Sequence, residues 1–147
     1  MDENKFDLDK MLCFKIYSSS KLIIRLYKPI LDKLKLTYPQ YVVMIALWEN
    51  EEMFFKDLSS RVMMKTGTLT PILQKLEAMG NIRREKDKID ERNVHIILTY
   101  KGKSLEKEAK DVLSAINKKI GITKEQYAEF LSETNSLFDI LKNVDNT

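Results

Sequence analysis

Apolar residues recur along this chain with two different periods, and the points where the period changes divide it into elements. Between Leu8 and Tyr27, the residues Leu8, Leu12, Ile16, Leu22, Ile23 and Leu26 fall near helical spacing. Pro29 stands where a new helix can begin, because a first turn makes no use of the N–H that proline lacks. Thr37-Tyr38-Pro39 opens a further helix, YVVMIALWEN, which runs to Asn50 and is apolar nearly all round, as befits the middle of a core. Leu58 and Val62 give a short helix one apolar face. Leu69, Leu73, Leu76 and Met79 stripe the helix after it, and Gly80 is placed to cap its end. Ile82, Val94, Ile96 and Leu98 then alternate in the manner of strands. Helical spacing returns from Gly102 to Ile120, with Leu105, Val112, Ile116 and Ile120 on one side. Thr123 and Gln126 make a T-x-x-Q capping pattern. The last helix carries Tyr127, Phe130, Leu131, Thr134, Leu137, Phe138 and Leu141 in register.

The segment from Lys56 to Thr99 therefore reads as two short helices followed by a basic strand, a charged tip and an apolar strand. That order predicts a winged helix-turn-helix over about residues 38–100, which sets one helix in a DNA major groove and a ribbon beside it. The fold class expected is mainly α with a small β wing (α+β), in a single domain spanning 1–147. Helices at about 8–27 and 102–143 lie outside the winged segment, yet each has a strong apolar face. A small DNA-binding domain cannot bury all of that surface. A second copy can, so a homodimer is expected, its two-fold axis matched to a pseudo-palindromic operator in double-stranded DNA.

Composition alters this picture little. The 147 residues are 44% hydrophobic and 32% charged, with a formal net charge of +3, so the basic balance alone argues weakly for nucleic acid. No run of about 18 apolar residues occurs, so no membrane span is expected. Met1–Leu12 carries acids and lacks the apolar stretch of a signal peptide, and a cytoplasmic location is expected. There is one cysteine, Cys13, which cannot form an intramolecular disulfide, and one histidine, His95. No phosphate-binding loop, paired-carboxylate site or metal-ligand spacing is present, so no metal, cofactor or enzymatic activity is expected.

The run TGTLTPILQKLEAMG, followed by IRREKDKIDERNVHIILTYKG, resembles the MarR family of bacterial winged-helix regulators. The segments LCFKIYSSS and LYKPILDKLKLTYPQY narrow the resemblance to its one-cysteine branch, which includes organic hydroperoxide resistance repressors. The resemblance covers the chain from about Met11 to the last helix. It departs from the branch at Lys65, where an acid is usual, and at Gln74-Lys75, where two basic residues are usual.

On the expected recognition helix, Leu69, Leu73 and Leu76 face inward. Thr66 and Thr68 at its start, with Thr70, Pro71, Gln74 and Lys75, are left to meet DNA. Hydroxyls at a helix N-terminus can bond phosphates, glutamine can pair with adenine, and lysine can contact guanine or phosphate. Arg84, Lys86 and Lys88 lead to the tip at Asp90-Glu91-Arg92. By the resemblance, Arg92 enters the minor groove and Asp90 helps to hold it; a narrow A·T-rich groove attracts such an arginine.

The resemblance also makes Cys13 a redox sensor, with Tyr27 and Tyr38 at the positions whose hydroxyls bond the reactive sulfur. Phenolic donors favour a thiolate. Oxidation to a sulfenic acid would then be resolved by a small external thiol, giving a mixed disulfide, or by a cysteine of another chain. The reading implied is a transcriptional regulator, expected to repress, that senses organic hydroperoxides or other oxidants. Two alternatives stay open. One is a regulator of the same family released by a small aromatic ligand, with Cys13 an inert core residue. The other is a thiol-dependent enzyme.

Overall fold

The computed structural model describes residues 5–145. The ends of the 1–147 span, and the first four residues of the Met1–Leu12 segment read for a signal peptide, lie outside them. The chain falls into two compact units, Met1–Val112 and Leu113–Thr147. In the first, a short 3-10 turn (Leu8–Lys10) precedes α1 (Leu12–Leu31), a second 3-10 turn (Asp32–Leu34) and α2 (Tyr38–Asn50). Then follow β1 (Glu52–Phe54), α3 (Phe55–Val62), α4 (Thr66–Ala78), β2 (Ile82–Lys86), β3 (Val94–Leu98) and α5 (Tyr100–Ala109). Helix α6 (Val112–Ile120) begins at the boundary, and α7 (Lys124–Asp145) belongs to the second unit.

Helix α2 starts where the sequence placed it. The Thr37 hydroxyl accepts the N–H of Gln40, and the Gln40 side chain accepts the N–H of Thr37, a reciprocal capping box beside Pro39. Val43, Met44 and Leu47 are fully buried, and the Trp48 indole donates to the Gly102 carbonyl at 2.9 Å. Leu58 of α3 and Leu69, Leu73 and Leu76 of α4 are likewise fully buried, as their spacing required. Gly80 ends α4 with φ +80. The N–H of Gly80 bonds the Glu77 carbonyl and that of Asn81 bonds the Leu76 carbonyl, a left-handed cap that a Cβ would strain. Thr123 and Gln126 form a second reciprocal capping box at the start of α7.

Three expectations need correction. Pro29 does not open a helix: α1 continues through it to Leu31. Pro29 forfeits one intrahelical hydrogen bond in that last turn, which Tyr27 and Leu31, both buried, hold against the core. The segment Gly102–Ile120 is two helices, broken at Lys110–Asp111; no side-chain feature explains the break. The wing is part of a three-stranded antiparallel sheet in the order β1-β3-β2. Strand β1 is only three residues long, too short for an alternation to register, and owes its existence to pairing with β3.

Ile82, Ile96 and Leu98 cover the core side of the sheet. On its other side His95 stands between Phe54 of β1 and Glu85 of β2. In the second unit, α7 leaves Phe130, Leu131, Phe138, Ile140, Leu141 and Val144 exposed in the single chain.

Candidate functional site

Burial of its three leucines fixes which side of α4 faces solvent. Thr66, Thr68, Pro71, Gln74 and Lys75 are exposed, and Thr70 is half-buried. The N-terminal turn of α4 contains no acid, so nothing there opposes an approaching phosphate.

The wing projects beside this helix as a network of charges rather than a simple basic arm. Asp90 accepts three hydrogen bonds from Arg92: from the backbone N–H at 3.1 Å, from Nε at 3.1 Å and from a terminal guanidinium nitrogen at 3.2 Å. Those bonds lower the Asp90 carboxyl below the usual aspartate range. The Arg92 side chain is nevertheless 90% exposed, held in position and still open to a partner. Lys86 and Lys88 are exposed. Arg84 is engaged elsewhere. Its backbone N–H donates to Glu77 at 3.0 Å, and its guanidinium donates at 3.2 and 2.8 Å, which ties β2 to α4 and lowers the Glu77 carboxyl.

Two tip residues escaped the sequence reading. His95 Nε2 lies 3.1 Å from Asp87 Oδ1, and the other Asp87 oxygen accepts the Asp90 N–H at 3.1 Å. The His95 hydrogen bond, followed by that from Asp90, lowers the Asp87 carboxyl. Asp87, Asp90, Arg92 and His95 lie close in the sequence, but no spacing rule marks them as a set. The link from Asp87 to His95 crosses between two strands.

The thiol site is divided. Tyr27 and Tyr38 meet, with ring centroids 5.0 Å apart, and Tyr41 and Trp48 extend the cluster. Burial, and then the neighbouring Tyr38, raise the Tyr41 phenol above the ordinary tyrosine range. Cys13 is exposed, near the start of α1. Tyr27 lies on the same helix 14 residues further on, which at 1.5 Å per residue is roughly 21 Å. The structure therefore does not bring Cys13 to the two phenols of its own chain. Fourteen residues is close to four whole turns, so Cys13 and Tyr27 do share one side of α1, together with Ile16, Tyr17, Ser20 and Ile24. Of the nearby cations, Lys15 pairs with Asp9 at 3.0 Å, and Lys21 lies over the Tyr17 ring at 5.0 Å. Among the described residues no cluster of His, Cys, Asp and Glu suits a metal ion, and no helix is long and apolar enough to cross a membrane.

Residues 25–109 match the family model described as transcriptional regulator SarA/Rot. The chain is 38% identical over 143 residues to the organic hydroperoxide resistance transcriptional regulator of Bacillus subtilis (strain 168), covering 95% of each chain. It is 38% identical over 146 residues to the HTH-type transcriptional regulator SarZ of Staphylococcus saprophyticus, covering 99% of this chain and 93% of that one. The structure of reduced AbfR bound to DNA superimposes with a TM-score of 0.81 at 29% identity, over 98% of this chain and 99% of that one; AbfR is a protein of Staphylococcus epidermidis.

Proposed function

Since the chain belongs to the SarA/Rot family of winged-helix transcriptional regulators, we propose that it binds operator DNA as a homodimer and releases it when Cys13 is oxidised by an organic hydroperoxide. The observation that carries the DNA reading is the pairing of two surfaces. The outer row of α4 lies open above three fully buried leucines, and Arg92 is braced by Asp90 yet almost wholly exposed. A duplex fits such a pair, with α4 in the major groove and Arg92 in the adjoining minor groove.

The divided thiol site is consistent with a dimer. Midway between Cys13 and Tyr27 lies Ser20, in the run Ser18-Ser19-Ser20. Two α1 helices crossing antiparallel about a two-fold axis at Ser20 would set Cys13 of one copy against Tyr27 and Tyr38 of the other. They would also pair Ile16 with Ile24, and both isoleucines are exposed in the single chain. Small side chains at the crossing let the helix axes approach closely.

In this arrangement the phenols of one copy favour the thiolate of the other. The thiolate attacks the peroxide O–O bond; the distal oxygen joins sulfur as sulfenate, and the alkoxide leaves and takes a proton to become an alcohol. A small thiol then displaces the sulfenic hydroxyl as water and forms a mixed disulfide. The added bulk at the α1 crossing turns the two DNA-binding lobes out of register with their half-sites. The test is release of an operator duplex by hydroperoxide plus a small thiol. Wild type should dissociate and Cys13→Ser should stay bound. Release of both would transfer the response to a ligand acting elsewhere.

A further inference from the structure

The wing contains an unbroken chain of contacts from the sheet to its tip, and its inner members belong to none of the roles given above. Phe54 of β1 stacks on His95 of β3, with ring centroids 4.1 Å apart. His95 Nε2 meets Asp87 Oδ1 at 3.1 Å, and Asp87 Oδ2 accepts the Asp90 N–H at 3.1 Å. Asp90 holds the Arg92 guanidinium through two hydrogen bonds. The tip is closed at its base by the Asp87 N–H donating to the Asn93 carbonyl at 2.8 Å and the Asn93 N–H donating to the Asp90 carbonyl at 2.9 Å. Asp90, Arg92 and Asn93 are thus tied, directly or through one neighbour, to the aspartate that His95 faces.

We propose that His95 is the positioning residue of the wing tip, and that a charged imidazole there stiffens the tip and makes DNA binding tighter. The proposal rests on the DNA-binding reading and extends it to a residue that does not itself touch DNA.

Charged groups approach the imidazole from several of the elements packed against it. Glu85 is its neighbour across the ladder from β2, and Arg83 draws that carboxylate aside at 2.8 Å. Asp87 faces it from the tip, and the other Asp87 oxygen accepts the Asp90 N–H. A cavity of about 260 Å³ beside the ring is lined by Glu52 of β1, Asp57 of α3, and Asn50, Met53 and Phe54. These carboxylates lie around the ring, and about a quarter of the His95 side chain remains in contact with solvent.

A neutral imidazole can donate one hydrogen bond to Asp87. An imidazolium makes the same bond as an ion pair and cancels the Asp87 charge. That charge opposes the Asp90 carboxylate beside it, and it would also oppose the phosphates of a bound duplex. Protonation therefore leaves Asp90 better placed for Arg92 and removes a repulsion from the DNA.

The experiment uses the purified dimer and a duplex selected by that dimer from a randomised pool. Affinity is measured by fluorescence anisotropy between pH 8 and pH 5.5 at fixed ionic strength. Wild type should bind about threefold to tenfold more tightly at the lower pH, the range in which an imidazole gains its charge. His95→Gln keeps a side-chain donor and cannot titrate; it should match wild type near pH 8 and show a flat profile. His95→Phe keeps the ring contact with Phe54 and loses the bond to Asp87; it should bind about threefold to fivefold more weakly near pH 8, an effect of the size usual for a part-exposed ionic network, and show a flat profile, so that it falls further behind wild type at lower pH.

Arg92→Ala separates this proposal from the reading beneath it. If that variant binds like wild type, the wing assignment itself is wrong. If it binds weakly while both His95 variants keep the wild-type profile, only the positioning role of His95 is overturned. Circular dichroism of each variant guards against loss of fold.

Discussion

The proposed crossing of two α1 helices at Ser20 makes Ile16 of one copy the neighbour of Ile24 of the other, and Ile16→Ala tests it directly. Ile16 is 46% exposed in the single chain, so about half of its side chain remains to be covered on pairing. Shortening isoleucine to alanine removes three carbons, worth ~2.4 kcal/mol if all of that surface passed from water to an apolar contact. Scaled by the exposed fraction, the loss is ~1 kcal/mol per copy. The two-fold axis counts it twice, giving ~2 kcal/mol, or a dissociation constant about thirtyfold higher. Because Ile16 contributes little to the protomer's own core, the folded monomer should survive with an unchanged helical spectrum.

Sedimentation velocity over a dilution series reads the dimer constant. The oxidation rate of Cys13 should fall in parallel once the variant is diluted below that constant, because the proposed crossing puts the phenols that would favour the thiolate on the other copy. A constant within threefold of wild type would refute the crossing. So would an oxidation rate that does not depend on protein concentration.

Arg92→Ala should weaken duplex binding at every salt concentration, whereas Lys75→Ala should weaken it less and lower the slope of log affinity against log salt by about one; titrations at several salt concentrations distinguish them. Tyr27→Phe or Tyr38→Phe should slow Cys13 oxidation near neutral pH and leave the affinity of the reduced protein for DNA unchanged, as read by intact mass against time and by anisotropy. Glu77 is held below the ordinary carboxylate range by Arg84, so its contribution to stability is present at neutral pH and lost as pH falls through the lowered value; denaturant unfolding of Glu77→Gln should show a shallower loss between about pH 6 and pH 3 than wild type. Gly102→Ala should lower the melting temperature by several degrees, because a Cβ there would collide with the Asn81 carbonyl.

What could be read in the sequence was whatever local pattern determines. The stripe Leu69, Leu73 and Leu76 fixed the outer row of α4, and the capping box before α7 was visible as Thr-x-x-Gln, whereas at Thr37 only the helix start was read. Gly80 marked the end of α4 because only a residue at ease with positive φ closes a helix in that way. Strand β1 stayed hidden because three residues show no period; the ladder with β3 makes them a strand. The relay through His95 stayed hidden because its links join residues eight and 41 positions apart, and no spacing rule reaches that far. Pro29 was misread because proline is at home in the first turn of a helix and costs a hydrogen bond in the last, so the first turn was the natural reading. Only the burial of Tyr27 and Leu31 distinguishes the two. The position of Cys13 relative to the phenols was legible in principle, since 14 residues of helix set the distance. It required taking α1 as one rigid rod through to Tyr27.

That rod has a genetic consequence. If Cys13 and Tyr27 cannot meet within one chain, each sensing unit in the dimer draws one part from each copy. Consider a cell that makes two defective forms together, one carrying Cys13→Ser and the other Tyr27→Phe. Either form alone yields only impaired units. A mixed pair concentrates both lesions in one unit and leaves the other with an intact cysteine facing an intact tyrosine. Two alleles that each fail to respond to hydroperoxide should therefore restore the response when present together, as intragenic complementation. Two alleles altered at the same one of these positions should not.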